Sequence, residues 1–215
     1  MSKESLRITE IFYSLQGEGK TVGLPTTFIR LTGCPLRCGY CDTEYAFHGG
    51  ETRTIEAILE EVASLGAKYI NVTGGEPLAQ KRVLTLMQKL CDEGYFVSLE
   101  TSGALDVSNV DPRVVKVLDV KTPASGEMNK NMHENYQYLL DSDQVKYVIC
   151  DEADFQWAKT HMFEHQLADK CEVLFSPVQG TLQASQLADW VLADKLPVRF
   201  QIQLHKHLWG DVPGK

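Results

Sequence analysis

The stretch Thr26-Thr-Phe-Ile-Arg-Leu-Thr-Gly-Cys-Pro-Leu-Arg-Cys-Gly-Tyr-Cys41 decides how the chain reads. Its first half is short, apolar and partly β-branched, the pattern of a strand. Its second half is a loop carrying Cys34, Cys38 and Cys41. Three thiolates this close can converge on one metal centre. A closed structural zinc site takes four protein ligands, whereas an iron–sulfur cube held by three cysteines keeps one iron open. From spacing alone both readings stand, because Asp42 or His48 can complete a zinc site of three sulfurs and one oxygen or nitrogen.

Similar apolar runs recur on both sides of this stretch. Strands are expected at residues 8–14, 26–32, 69–73, 96–100, 114–120, 144–149, 173–176 and 198–204. Several are apolar throughout, as parallel strands covered on both faces are. Helical spacing is expected over 54–64, 78–93, 131–140, 154–165 and 182–193, with Thr54 as an N-cap and Gly94 ending the second of these. This alternation predicts an α/β chain with a mostly parallel sheet. At 215 residues it is shorter than a full eight-fold barrel, which runs to roughly 250 residues. A reduced or partial (β/α) barrel in one domain over 1–215 is therefore expected. In such folds the loops after the strand C-termini carry the site. Five loops qualify: the cysteine loop, Thr73-Gly-Gly-Glu-Pro77, Glu100-Thr-Ser-Gly103, Asp119-Val-Lys-Thr-Pro123 and Ser176-Pro177.

Hydrophobic residues make up 43% and charged residues 23%, an ordinary globular balance, and the net charge of −8 argues against a general nucleic-acid binder. The first residues show no apolar signal core, and no apolar stretch is long enough to span a bilayer. The expected location is cytoplasmic, away from membranes, with reduced cysteines. Cys91, Cys150 and Cys171 read as core packing.

Cys34-x₃-Cys38-x₂-Cys41, with aromatic Tyr40 before the last cysteine, resembles the signature of the radical S-adenosylmethionine (AdoMet) superfamily. Thr73-Gly-Gly-Glu-Pro77 resembles its glycine-rich motif. A narrower resemblance spans nearly the whole chain. Phe12-Tyr-Ser-Leu-Gln-Gly-Glu-Gly19, Phe28-Ile-Arg-Leu-Thr-Gly-Cys34, Cys41-Asp-Thr43, Glu100-Thr-Ser-Gly103 and Gln203-Leu-His-Lys-His-Leu-Trp-Gly210 are similar to the 7-carboxy-7-deazaguanine synthase family.

That resemblance implies a lyase that converts 6-carboxy-5,6,7,8-tetrahydropterin to 7-carboxy-7-deazaguanine by radical ring contraction with loss of ammonia, on the way to 7-deazapurines such as queuosine. It implies a [4Fe–4S] cluster on Cys34, Cys38 and Cys41, with AdoMet on the open iron as a regenerated cofactor. It implies AdoMet contacts from Tyr40, Cys41, Asp42, Gly74, Gly75, Glu76, Ser102, Asp119 and Lys121. Of these Lys121 is the departure, since many relatives carry Ser-Pro-Lys where this chain has Asp-Val-Lys. Glu76 is expected to balance the AdoMet ammonium. Substrate contacts are implied for Leu15, Gln16, Gly17, Glu18, Arg30, Thr73, His48 and His205, and a Mg²⁺ contact for Thr43. Read without the resemblance, Gln16-Gly-Glu-Gly19 is a polar turn, Arg30 a buried ion pair and Thr43 a loop hydroxyl. An electron donor such as flavodoxin or ferredoxin and a homodimer complete the implied picture. No side chain is assigned as general acid or base. Two rivals remain: an activase that places a glycyl radical on a partner protein, and a zinc-stabilised binding module without catalysis.

Overall fold

The computed structural model describes residues 4–210, 212 and 214. The closing segment 213–215, expected either to cap the pocket or to fray, falls largely outside them.

Among the described residues nine strands form one open sheet: β1 (Ser5–Leu15), β2 (Pro25–Leu31), β3 (Glu51–Thr54), β4 (Tyr69–Gly74), β5 (Phe96–Thr101), β6 (Val115–Val120), β7 (Gln144–Ile149), β8 (Glu172–Pro177) and β9 (Arg199–Phe200). Their spatial order is β3-β1-β2-β4-β5-β6-β7-β8-β9. Every neighbouring pair from β2 to β9 is parallel, while β1 runs antiparallel to both β2 and β3. The expected partial barrel is thus present, with an antiparallel hairpin added at one edge.

The same described residues hold five α-helices: α1 (Ile55–Leu65), α2 (Val83–Asp92), α3 (Glu152–Glu164), α4 (Ala184–Ala193) and α5 (Leu204–Trp209). Thr54 caps α1 as expected, its hydroxyl accepting from the Ala57 N–H at 3.2 Å, and Gly66 ends it in the left-handed region. Ile55, Ile58 and Val62 turn inward from α1 and Val83, Leu86, Met87 and Leu90 from α2, onto Ile29, Leu31, Val72 and Leu99 of the strands. Cys171 is buried beside this core, and Cys91 and Cys150 are half-buried.

Three expectations need correction. In place of the helix expected over 131–140 stands one 3₁₀ segment, His133–Tyr138, with a separate 3₁₀ turn just before the range at Met128–Lys130. Asparagines there bond to other loops instead of facing solvent: Asn131 brackets the Lys121 backbone, and Asn135 holds the backbone of Gly103, Leu105 and Val107. The helix expected from 78 starts as a single 3₁₀ turn and becomes α-helical only at Val83. The strand expected over 198–204 pairs only at Arg199–Phe200 before the chain leaves the sheet edge and coils into α5. Among the described residues no helix is long and apolar enough to cross a membrane.

Candidate functional site

At the C-terminal ends of the parallel strands lies a cleft of about 940 Å³. The three cysteines line it, and backbone contacts hold their loop in place. Gly33 N–H donates to the Ala46 carbonyl at 2.8 Å, Gly39 N–H to Ser125 at 3.0 Å, and Cys41 N–H to Cys38 at 3.1 Å. The glycine-rich loop after β4 presses against it: Glu76 N–H donates to the Gly33 carbonyl at 2.8 Å. A Cβ at Gly75 would overlap that same carbonyl oxygen and meet Cys34 Cβ at 3.0 Å, so this position admits glycine alone. Gly74 and Gly75 both reach the cleft wall.

Glu76 is a correction. Its side chain is fully buried and is not part of the cleft wall. Its carboxylate accepts from Leu78 N–H at 3.0 Å, Thr101 Oγ1 at 2.9 Å, Ser102 N–H at 2.7 Å and Ser102 Oγ at 2.6 Å. Those protein donors occupy it, so it locks the loop after β4 to the loop after β5 and is not presented to a ligand ammonium.

The floor of the cleft is a charge network. Lys146 Nζ on β7 stands 2.7 Å from Glu18, 3.5 Å from Asp119 and 3.7 Å from Glu100. Lys121 Nζ stands 3.0 Å from Asp119 and 5.9 Å from the Tyr40 ring centre. Burial favours the neutral amine of Lys121, but the Asp119 carboxylate outweighs it and holds the pKa above the ordinary lysine value. Burial also opposes the Asp119 charge, and Lys121 and Lys146 overcome it to bring that pKa down. Glu100 behaves differently. Loss of water pushes its carboxyl up to about 7 against the pull of Lys146, with Glu18 and Asp119 adding to the rise.

Arg30 reaches the cleft from β2, and its Nε pairs with Glu10 at 2.6 Å. Tyr45 OH donates to the same Glu10 oxygen at 2.7 Å. The buried-pair reading of Arg30 therefore holds at Nε, and the terminal guanidinium nitrogens are what it offers a ligand. Nearby, Phe12 and Phe28 stack with centroids 4.8 Å apart and give the wall a flat aromatic surface.

Gln16, Gly17 and Glu18 form the turn after β1, with Leu15 beside them on the cleft wall. Gln16 Oε1 accepts from Gly17 N–H at 2.9 Å and makes the turn rigid. Helix α5 roofs it: Leu204 N–H donates to the Gly17 carbonyl at 3.0 Å, and a Cβ on Gly17 would collide with the His205 ring. Burial lowers the His205 pKa, partly offset by Glu18. On the other side Lys206 Nζ pairs with Asp42 at 2.7 Å and Gln203 Nε2 reaches the same oxygen at 3.3 Å. Burial opposes the Asp42 charge, yet these partners hold its carboxyl well below the usual range. Thr43 donates to Asp42 at 2.8 Å, on the cleft wall.

His48 is the second correction. It ends the 3₁₀ turn Glu44–Phe47 in extended conformation, is exposed, and does not line the cleft. Gly49 and Gly50, both with positive φ, carry the chain from there into β3, the edge strand. Thr73, Ser102, Asp119, Lys121 and His205 do line it. Sequence reasoning left out Lys146, Glu100, Asn71 and Lys206, all of which do as well.

The cysteine set fits an iron–sulfur cluster. Burial is the largest cause raising each thiol, Cys38 to about 11; neighbouring thiols add to the rise at Cys34 and Cys38, and the Asp42 and Glu44 carboxylates at Cys41. Ionising all three together needs a strongly positive centre, and three soft sulfurs suit iron in a sulfide cube.

The profile described as the Radical SAM superfamily matches residues 28–119. Over 98% of its length this chain is 46% identical to the 7-carboxy-7-deazaguanine synthase of Chlorobaculum tepidum, covering 97% of that protein. It is 44% identical to the enzyme of the same name from Koribacter versatilis, over 95% and 97% of the two chains. The crystal structure of QueE from Escherichia coli superposes with a TM-score of 0.76 at 21% identity, over 94% of this chain and 95% of that one, a likeness of fold.

Proposed function

The chain belongs to the 7-carboxy-7-deazaguanine synthase family of radical AdoMet lyases, and from that premise we propose that it contracts the ring of 6-carboxy-5,6,7,8-tetrahydropterin, with loss of ammonia, to give 7-carboxy-7-deazaguanine. One observation carries this reading. The three cysteines, the Gln16–Glu18 turn and Arg30 meet in a single cleft. Cys34, Cys38 and Cys41 would hold a [4Fe–4S] cluster, which together with AdoMet supplies a hydrogen-abstracting radical when bound.

The chain's own residues do the rest by positioning. Glu18, one oxygen already on Lys146, turns its remaining acceptor capacity to the guanidine-like N–H edge of a pterin. The free nitrogens of Arg30 suit the substrate carboxylate as a bidentate partner. Phe12 and Phe28 offer a face to the flat heterocycle. Gly75 lets its backbone approach the cofactor, while Ser102, Asp119 and Lys121 border the same space as Tyr40. The carboxyl of Glu100, poised near neutrality, can hold or release a proton beside the reacting ring.

The cleft wall carries Glu18, Asp42, Glu100 and Asp119 against Arg30, Lys121, Lys146 and Lys206. With Glu100 protonated the cations exceed the anions, which favours a carboxylate-bearing substrate. His205 and α5 cover the Gln16–Gly17 turn from above and narrow the access of water on that side. Thr43, with Asp42, is the proposed oxygen-ligand corner for Mg²⁺. By the same resemblance the reading includes a homodimer and an electron donor such as flavodoxin or ferredoxin.

The test is an anaerobic assay with dithionite, AdoMet and the carboxylated tetrahydropterin, with and without Mg²⁺. Formation of the deazaguanine is expected, faster with Mg²⁺. Absence of that product from iron-loaded protein would overturn the reading.

A further inference from the structure

At the far end of α3 from the cleft, three imidazoles meet. His161 and His165 lie one turn apart, on α3 and at its C-cap, and His133 opens the 3₁₀ segment His133–Tyr138. One ring nitrogen from each lies within 4.8 Å of the other two. None of the three lines the cleft. β7, whose Val148 lines the cleft, leads into α3, and a rise of about 1.5 Å per residue puts His161 about 14 Å along the helix axis from Glu152.

We propose that His133, His161 and His165 form a binding site for a divalent transition metal of the zinc class, separate from the site of catalysis.

The chemistry of the donors selects the ion. Imidazole nitrogen suits zinc, copper, nickel and cobalt, whereas Mg²⁺ seeks oxygen. Three protein nitrogens leave one position of a tetrahedral ion for water. Around such an ion, at roughly 2.0–2.1 Å from each nitrogen, the nitrogens stand about 3.4 Å apart. The observed spread, within 4.8 Å, exceeds that by about 1.4 Å at most, and one arm, His133, is exposed.

The buried arm is already oriented. Tyr147 OH lies 2.8 Å from His161 Nδ1, and the Trp157 ring stacks on the imidazole at 4.7 Å between centroids. In the tautomer whose Nδ1–H donates to the Tyr147 oxygen, Nε2 is the ligand atom, the usual arrangement behind a metal-bound histidine. The Tyr136 hydroxyl, 3.4 Å from Nε2, marks the competitor an ion must displace.

Occupancy would tie the segment 133–138 to α3. Asn135 of that segment holds the carbonyls of Gly103 and Leu105, just beyond the cleft residue Ser102. The site is thus an external clamp on the loop after β5.

The test uses untagged holoenzyme with its cluster in place, so that the loop cysteines are occupied, and Zn²⁺ or Co²⁺ alone as probe. Equilibrium dialysis should find one added Zn²⁺ per chain, with a first shell of nitrogen and oxygen by X-ray absorption. His133→Ala and His165→Ala should each weaken binding at least about tenfold, with iron content and far-UV spectrum unchanged. Zn²⁺ should raise the thermal midpoint of the parent protein and not that of the variants. His133 is exposed, so its replacement leaves the core intact. No added Zn²⁺ at about tenfold excess, sulfur in the first shell, or undiminished binding in both variants would each overturn the proposal.

Discussion

Lys146 Nζ stands 2.7 Å from Glu18 Oε2, an ion pair between residues 128 positions apart that joins the turn after β1 to the middle of the parallel sheet. Both side chains are nearly buried, at 10% and 14% exposure. Removing one partner of such a pair leaves charge uncompensated in a poorly hydrated place, at a cost of about 3–5 kcal/mol. Lys146→Met should lose stability of this order in urea unfolding at pH 7. The loss should shrink at pH 5, below the Glu100 value of about 7, where that carboxyl is protonated and leaves less negative charge unpaired.

Glu100 gives the cleft a pH signature. Its folded value of about 7 lies above the ordinary 4.5. The folded chain therefore holds a proton that the unfolded chain releases. The stability this confers is complete below about 4.5 and is lost as pH rises through 7. Across that window the change is on the order of 3 kcal/mol. Glu100→Gln should lack this decline, so the difference in melting temperature between variant and parent should move in the variant's favour from pH 5 to pH 8. Parallel curves would remove Glu100 as the titrating group.

Gly75 and Gly39 make a matched pair. A methyl at Gly75 overlaps the Gly33 carbonyl, whereas at Gly39 the nearest atom is the Ala124 carbonyl oxygen at 3.9 Å. Gly75→Ala should shift the cysteine loop, costing about 1–3 kcal/mol, with iron content falling after reconstitution. Gly39→Ala should keep iron content near the parent's. Iron analysis on both variants checks this.

Glu76→Gln separates two roles. The carboxylate takes four donors, and an amide nitrogen cannot accept from any of them. A loss of about 1–3 kcal/mol in stability is expected. A carboxylate acting on AdoMet instead would raise the KM for AdoMet with the melting temperature unmoved, and that outcome would restore the original expectation.

Gly17 and His205 should be coupled. A Cβ at Gly17 meets the imidazole ring, so Gly17→Ala should push α5 off the turn and raise the substrate KM by roughly tenfold or more. In the double variant with His205→Ala the clash disappears. The two effects should then be less than additive in a double-mutant cycle; strict additivity would count against this contact.

The strand pattern and the cysteine loop were legible because both are local. A parallel strand covered on both faces is apolar in sequence, and three thiols within eight positions announce a shared centre. What was missed depends on the curvature of the sheet. Lys116 and Lys146 are both single lysines within apolar strands, at first sight equivalent. Lys116 pairs with Asp143 at 2.8 Å, fully buried and away from the cleft, while Lys146 lies on the cleft floor. The argument that flagged Arg30 applies to both, and nothing local separates them. His48 was misplaced for a related reason. It is only seven residues past Cys41, yet one 3₁₀ turn and two glycines send it to the outer edge. The strand expected over 198–204 rests on the alternation of Val198, Phe200 and Ile202, and only the sheet edge limits that pattern to pairing at Arg199–Phe200.

The contact between Gln203 and Asp42 spans 161 positions. During synthesis the cysteine loop is therefore complete long before the helix that covers it exists. The cysteine loop on one side and the Gln16–Gly17 turn on the other thus receive their cover from one short segment, residues 203–206.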